Sequence, residues 1–143
     1  MQLIYPVHLT PAEEGGYVVT FRDLPEAITE GDDKADALEQ ASDCLEVVLA
    51  LYMRERRRIP EPSAPQRGEY LVGPGSLMAA KTALYIALAK SGMSQRDLAR
   101  AIGTTPAGVQ RLLDPRHMSR HDQFDAAMRA LGRRVTLSVE TAA

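Results

Sequence analysis

Between Ile59 and Gly68 the chain reads IPEPSAPQRG. Proline fixes φ and lacks a backbone donor, so neither a helix nor a central strand can run through this stretch. It is a connection. A chain of 143 residues fits one domain or two small ones, and the sequences flanking this connection differ in both pattern and charge.

Upstream, YVVTF at 17–21 alternates in steps of two, with Tyr17, Val19 and Phe21 on one face and Val18 and Thr20 on the other. LIYPVHL at 3–9 reads as another strand, and Pro6, unable to donate to a ladder, marks it as an edge. PAEEGG between them is a turn in which Gly15 and Gly16 accept positive φ. AIT at 27–29 is a third strand. A helix then starts in GDDKAD, capped by Asp32 or Asp33, and Leu38, Ala41, Leu45, Val48, Leu49 and Tyr52 form its apolar stripe. It closes in RERRR at 54–58, basic where the helix dipole is negative. That run reads first as a solvated helix end and second as a nucleic-acid patch.

Downstream, EYLVGPG is a short strand with a turn. From Ser76 to about Gly132 the pattern is helical, broken into SLMAAKTALYIALAKSG, SQRDLARAIG, TPAGVQRLL and SRHDQFDAAMRALG. In the last piece Ser119 is the expected cap. RRVTLSVE at 133–140 puts Val135, Leu137 and Val139 on one face and reads as a closing strand.

Residues 1–62 carry 13 acidic side chains against 6 Lys/Arg, a net −7, while residues 63–143 carry 6 against 11, a net +5. The first part repels nucleic acid and attracts a basic partner; the second is drawn to phosphates. An apolar content of 45% is that of a globular chain, and no run is long enough to span a membrane. The N-terminus has no signal-peptide pattern, so the expected location is cytoplasmic. A single cysteine, Cys44, excludes an internal disulfide and reads as a buried, inert thiol. His117 and His121 lack a third ligand in the pattern, and the carboxylates of the first part sit in a turn (Glu13, Glu14) and at a helix start (Asp32, Asp33, Asp36). Neither arrangement calls for a metal or another cofactor, and no catalytic set is identified.

The stretch GYVVTFRDLPEAITEGDDKADALEQASDCLEVVL, followed by IPEPS, resembles the N-terminal domain of the HicB antitoxins. The resemblance covers roughly residues 3–63 and rests on Tyr17, Phe21, Asp23, Leu24, Pro25, Gly31, Ala37, Leu38, Ala41, Ile59, Pro60, Pro62 and Ser63. It departs at Glu26, where glycine is usual, and at Asp33, where threonine is usual. It implies a truncated RNase H-like fold without nuclease activity, whose role is to cover a small, basic, RNA-cleaving toxin of the HicA type. On that resemblance Tyr17, Phe21, Asp23, Leu24, Glu26, Glu30 and Asp32 are the candidate toxin contacts.

In MSQRDLARAIGTTPAGVQRLLDP two short helices meet. Ser94 caps the first, Met93 and Leu98 can staple it, and Gly103 ends it. Thr105 caps the second, with Pro106 at its first position. Leu98, Ile102, Val109, Leu112 and Leu113 point inward, with small Ala99 letting the helices approach. That leaves Ala107, Gln110 and Arg111 outward, beside Gln95 and Arg96. Arginine reads guanine edges, glutamine reads adenine edges, and hydroxyls hold phosphates, so Gln95, Arg96, Thr104, Thr105, Ala107, Gln110, Arg111 and Arg116 are the candidate DNA contacts. The segment resembles the Xre/Cro-like repressor domains, although Pro106 and Ala107 stand where polar side chains are common.

The expected fold class is α+β: a truncated RNase H-like ββ(β)α domain at 1–63, a linker with a short strand at 64–75, and an all-α helix-turn-helix domain with a closing strand at 76–143. The expected function is neutralisation of a HicA-type toxin together with repression of the chain's own operon, as a homodimer or higher oligomer on a roughly palindromic operator. The competing class is a stand-alone repressor whose N-terminal domain senses a small ligand. A third is an RNase H-like enzyme.

Overall fold

The computed structural model describes residues 1–141. Its elements run β1 (Tyr5–Pro11), β2 (Tyr17–Phe21), β3 (Ile28–Gly31), α1 (Lys34–Arg54), β4 (Tyr70–Val72), α2 (Ser76–Ser91), α3 (Gln95–Ile102), α4 (Pro106–Leu113) and α5 (His121–Ala130). The class is α+β, with one four-stranded antiparallel sheet in the order β3-β2-β1-β4.

The two-residue period of β2 holds: Val19 and Phe21 are buried and Tyr17 packs beside them, while Thr20 faces outward. Opposite them on β1 lie Val7 and Leu9, in register with Phe21 and Val19. α1 lies across this face and buries Ala37, Ala41, Leu45, Val48, Leu49 and Tyr52. Its cap is Asp33, whose side chain accepts from the Asp36 N–H. Glycine is required at Gly31, because a Cβ there would stand 2.3 Å from the backbone nitrogen of Ala37. Cys44 is half-buried against the same core.

β1 is not an edge. It sits inside the sheet, between β2 and β4. Pro6 is tolerated because its ladder partner is Leu71 of β4 alone; the β1–β2 pairing begins one residue later, at Val7 with Phe21. At Pro6 the strand has a neighbour on one side only, so the missing donor costs little. The span expected as a linker thus supplies the strand that closes this side of the sheet.

The apolar side chains form two clusters. The first joins the sheet and α1 to Ile59, Met78 and Ile86. The second joins Leu84, Ala87 and Leu88 to Leu98, Ala99, Val109, Leu112, Leu113, Ala127 and Met128. α2 therefore serves both cores. This explains why its apolar residues surround the helix instead of forming one stripe.

The expected closing strand is absent. Residues 133–141 form no element, and Leu137 and Val139 are 89% and 88% exposed. The alternation is genuine, but a strand exists only with a ladder partner and a surface to cover its apolar face, and the segment has neither here. Ser119 does not cap α5. The cap residue is Arg120, without a side-chain cap bond, and Ser119 is occupied elsewhere, as described below. Of the expected 76–143 unit, Ala142 and Ala143 lie outside the described residues.

Candidate functional site

The α3–α4 corner is built by local rules. The Ser94 side chain accepts from the Asp97 N–H at 3.0 Å, and the Thr105 hydroxyl accepts from the Gly108 N–H at 3.1 Å. Gly103 ends α3 at φ 72° in the left-handed region, where glycine avoids the Cβ penalty. Leu98, Ala99, Val109, Leu112 and Leu113 are buried, and Ile102 packs against them half-buried. The corner is tight: a Cβ at Gly108 would stand 2.3 Å from the Thr104 Oγ1.

A residue without a place among the expected contacts holds the far end of α4. Lys81 on α2 is 2% exposed. Its Nζ donates to the Arg111 carbonyl oxygen at 2.9 Å and to the Ser119 hydroxyl, which faces the same carbonyl. Burial pulls the Lys81 pKa below the ordinary lysine range, and the Asp114 charge opposes that shift. The signal for it was a lone cation in the otherwise apolar run LMAAKTALYIAL.

The outer face of α4 carries Ala107, Gln110 and Arg111, all exposed. Arg96 and Thr105 are exposed, and Gln95 and Thr104 half-buried. The Gln110 side chain donates to the Gln95 carboxamide oxygen, tying α4 to the start of α3. Arg116 reaches outward from the following loop and pairs with Asp114. Gln95, Gln110, Arg111 and Arg116 line a groove of about 960 Å³, whereas Arg96, Thr104, Thr105 and Ala107 lie outside it. Of the five long side chains among the expected DNA contacts, the structure gathers Gln95, Gln110, Arg111 and Arg116 along one concavity and leaves Arg96 outside it.

In the sheet half, the proline-rich connection is a strap. Ile59 enters the first core, the Tyr5 hydroxyl donates to the Pro60 carbonyl at 2.8 Å, and the Asp23 carboxylate accepts from both the N–H and the hydroxyl of Ser63. Arg22 adds a two-point bond to Glu69 and one to the Ala64 carbonyl. The Asp-Leu-Pro turn and the Ile-Pro-x-Pro-Ser exit, 40 residues apart, are thus one structural unit.

The match to known proteins covers that unit. Residues 4–83 fit the model of the HicB-like antitoxins of bacterial toxin–antitoxin systems. The chain belongs to the HicB-like antitoxin family. Its relatives extend past the matched segment. "Antitoxin HicB" of Escherichia coli (strain K12) is 38% identical over 93% of this chain and 96% of its own length. "Antitoxin HicB 1" of Photorhabdus laumondii is 39% identical over 95% and 86%, and "Antitoxin HicB" of Pseudomonas fluorescens (strain Pf0-1) is 37% identical over 91% and 90%. Membership in this family gives the chain a regulatory role as an antitoxin, with a toxin as its partner.

For a HicB-family chain the placement of the expected toxin contacts matters, and the structure divides them. Phe21 and Leu24 are core residues, 3% and 0% exposed, so they support the surface instead of forming it. The Asp23 side chain is 9% exposed and occupied by Ser63. Glu26, the departure from glycine, accepts from the Tyr52 hydroxyl and, at 2.6 Å, from Arg57, whose guanidinium lies 3.9 Å from the Tyr52 ring centre. These bonds, Tyr52 first, hold the Glu26 carboxyl below the usual range. Tyr17 is half-buried. Glu30 and Asp32, at the end of the edge strand β3, are exposed, and neither forms an ion pair among the described residues. Nearby Ile28 is 62% exposed. No three His, Cys, Asp or Glu gather among the described residues as a metal site, and no helix there is long and apolar enough to cross a membrane.

Proposed function

We propose that this chain binds and neutralises a small HicA-type mRNA-cleaving toxin and represses its own operon by binding DNA. The observation that carries the reading is that an acidic sheet half and a basic helical half, aligned together with HicB antitoxins over 93% of the chain, each present a free surface of the matching sign. Glu30 and Asp32 at the β3 edge offer charge complementarity to a basic RNA-binding protein, and Ile28 offers apolar area beside them. The β-β-β-α order agrees with a truncated RNase H-like domain acting as a scaffold. The α3–α4 corner, with its caps and tight Gly108–Thr104 contact, is read as a helix-turn-helix that lays α4 in the major groove. Arg111 and Gln110 then face base edges, and Arg96, Thr104, Thr105 and Arg116 face phosphates.

Two copies are the expected unit, because paired reading heads match a roughly palindromic operator. The exposed Val135, Leu137 and Val139 stripe is the segment offered to the second copy, where it gains the ladder partner that a single chain lacks.

The test is a pair of assays on purified full-length chain. Added to the toxin encoded beside it, the chain should abolish RNA cleavage at a one-to-one ratio; mixed with its promoter, it should shift that duplex in preference to a scrambled one. Cleavage that continues at molar excess would remove the toxin half of the proposal. Equal affinity for both duplexes would remove the operator half.

A further inference from the structure

The groove beside α4 has a second wall, and it comes from the sheet half. Arg54 and Arg56, at the C-terminal turn of α1, line the same 960 Å³ concavity as Gln95, Gln110, Arg111 and Arg116. Both are exposed, and neither forms an ion pair among the described residues. The neighbouring Arg57, by contrast, is tied to Glu26, Glu55 and the Tyr52 ring. One anionic group also lines the groove, the Asp114 carboxylate, and it is paired with Arg116. The concavity therefore holds more arginine than its own carboxylate can neutralise.

The backbone at Arg56 carries an independent signal. α1 ends in a full two-bond cap, with the Arg57 N–H donating to Tyr52 at 2.9 Å and the Arg56 N–H to Met53 at 3.1 Å. This cap needs a left-handed residue, ordinarily glycine. Here the position is Arg56 at φ 56°, the one described non-glycine residue with positive φ. A strained conformation is kept together with a long cationic side chain at a place where glycine would fold more easily. Strain held for a charge points to a use for that charge.

We propose that the end of α1 is part of the DNA surface: Arg54 and Arg56 hold the phosphate backbone across the groove from α4. The inference rests on the DNA-binding reading above and deepens it. It makes the toxin-binding half a participant in operator contact instead of a passive neighbour. The wall is held in place by α2, whose Tyr85 hydroxyl donates to the Arg57 carbonyl at 2.8 Å and whose Lys90 pairs with Glu61. The contacts made by Arg54 and Arg56 are sequence-independent, since phosphates carry no base information.

The experiment uses full-length chain and two duplexes, promoter and scrambled, titrated over a range of salt. Arg56→Gly removes the charge while relieving the backbone, so its melting temperature should equal or exceed that of the parent. Its affinity should fall by the same factor on both duplexes, and the slope of log K against log salt should become shallower by about one; Arg54→Gln/Arg56→Gly should lose about two. Arg58→Gln, exposed in the same run but outside the groove, should leave the slope unchanged. Parental affinity and slope in the double variant, with the parent binding normally, would overturn the inference, as would an equal loss in Arg58→Gln. Failure of the parent itself to bind either duplex is a different result: it removes the DNA reading, and this inference with it.

Discussion

The Lys81 Nζ lies 2.9 Å from the carbonyl oxygen of Arg111, so a buried cation on α2 fastens the C-terminal end of the helix whose exposed face carries the DNA-reading candidates. A helix C-terminus is where carbonyls lack intrahelical partners and where positive charge is favoured. The bond thus adds a short, charge-assisted donor to a carbonyl that otherwise accepts only the longer contacts of the Asp114 N–H (3.3 Å) and the Ser119 hydroxyl (3.4 Å), and it links α4 to the helix shared by both cores.

Removing that cation should be felt. Lys81→Met keeps the length of the side chain but removes the charged donor shared by the Arg111 carbonyl and the Ser119 hydroxyl, a loss of about 1–3 kcal/mol. Urea unfolding of the full chain reads it directly. Parental stability in the variant would mean that the bond contributes nothing net.

The corner is close-packed enough to predict a rescue. Gly108→Ala places a Cβ 2.3 Å from the Thr104 Oγ1 and 3.3 Å from its Cβ and Cγ2. Overpacking of this kind costs about 1–3 kcal/mol. Thr104→Ala removes the Oγ1 and Cγ2 atoms, so the double variant should recover part of the loss in thermal unfolding. Strictly additive effects would show that the two residues do not press on each other.

Arg111 is exposed on the outer face of α4, and it is the strongest candidate for reading a base. Arg111→Ala should cost about 1–3 kcal/mol of operator affinity and narrow the gap between operator and scrambled duplex. Quantitative binding to both duplexes measures this. An unchanged gap would take Arg111 out of sequence readout.

How much of this was legible in the sequence depended on the range of the interaction involved. Asp33, Ser94, Gly103 and Thr105 act within a few residues of themselves, and each stands where the pattern put it. Other features turn on distant partners. Pro6 suggested an edge strand, yet β4 arrives from 65 residues downstream to pair with it. Val135, Leu137 and Val139 alternate like a strand, yet alternation supplies no partner. Ser119 looked like a cap until Lys81 claimed its hydroxyl. Phe21 and Leu24 were chosen through a family resemblance that marks a residue as shared without saying whether it packs or binds; their burial says that they pack. The end of α1 reads in the sequence first as a solvated helix end and only second as a nucleic-acid patch, because its position beside α4 is a property of the folded chain.

Acid should loosen the fold in a defined window. Glu26 (through Tyr52, then Arg57), Glu61 (through Lys90), Glu69 (through Arg22) and Asp114 (through the Arg116 N–H) are all held below the usual carboxylate range. A carboxylate with a lowered folded pKa stabilises the fold above its unfolded pKa, and that stability is lost as pH falls through the folded value. The melting temperature should therefore stay level near neutrality and fall once pH drops below the ordinary glutamate value of 4.5. Glu26 and Glu61 are exposed, so their contributions are small, whereas the Glu69 side chain is only 7% exposed and is the better-shielded of these pairs. Arg22→Gln should make the decline shallower by removing the main partner of Glu69. A melting temperature that stays level far below that value would contradict the assignment.

On the proposed function, the acidic half of this HicB-family chain holds a toxin. The most direct test is to express tagged full-length chain from its native operon and weigh what co-purifies. A small basic protein encoded beside it should elute in stoichiometric amount and be released by high salt to the extent that charge holds it. Recovery of the chain alone, still able to bind its promoter, would contradict the account and leave a repressor whose sheet domain answers to something else.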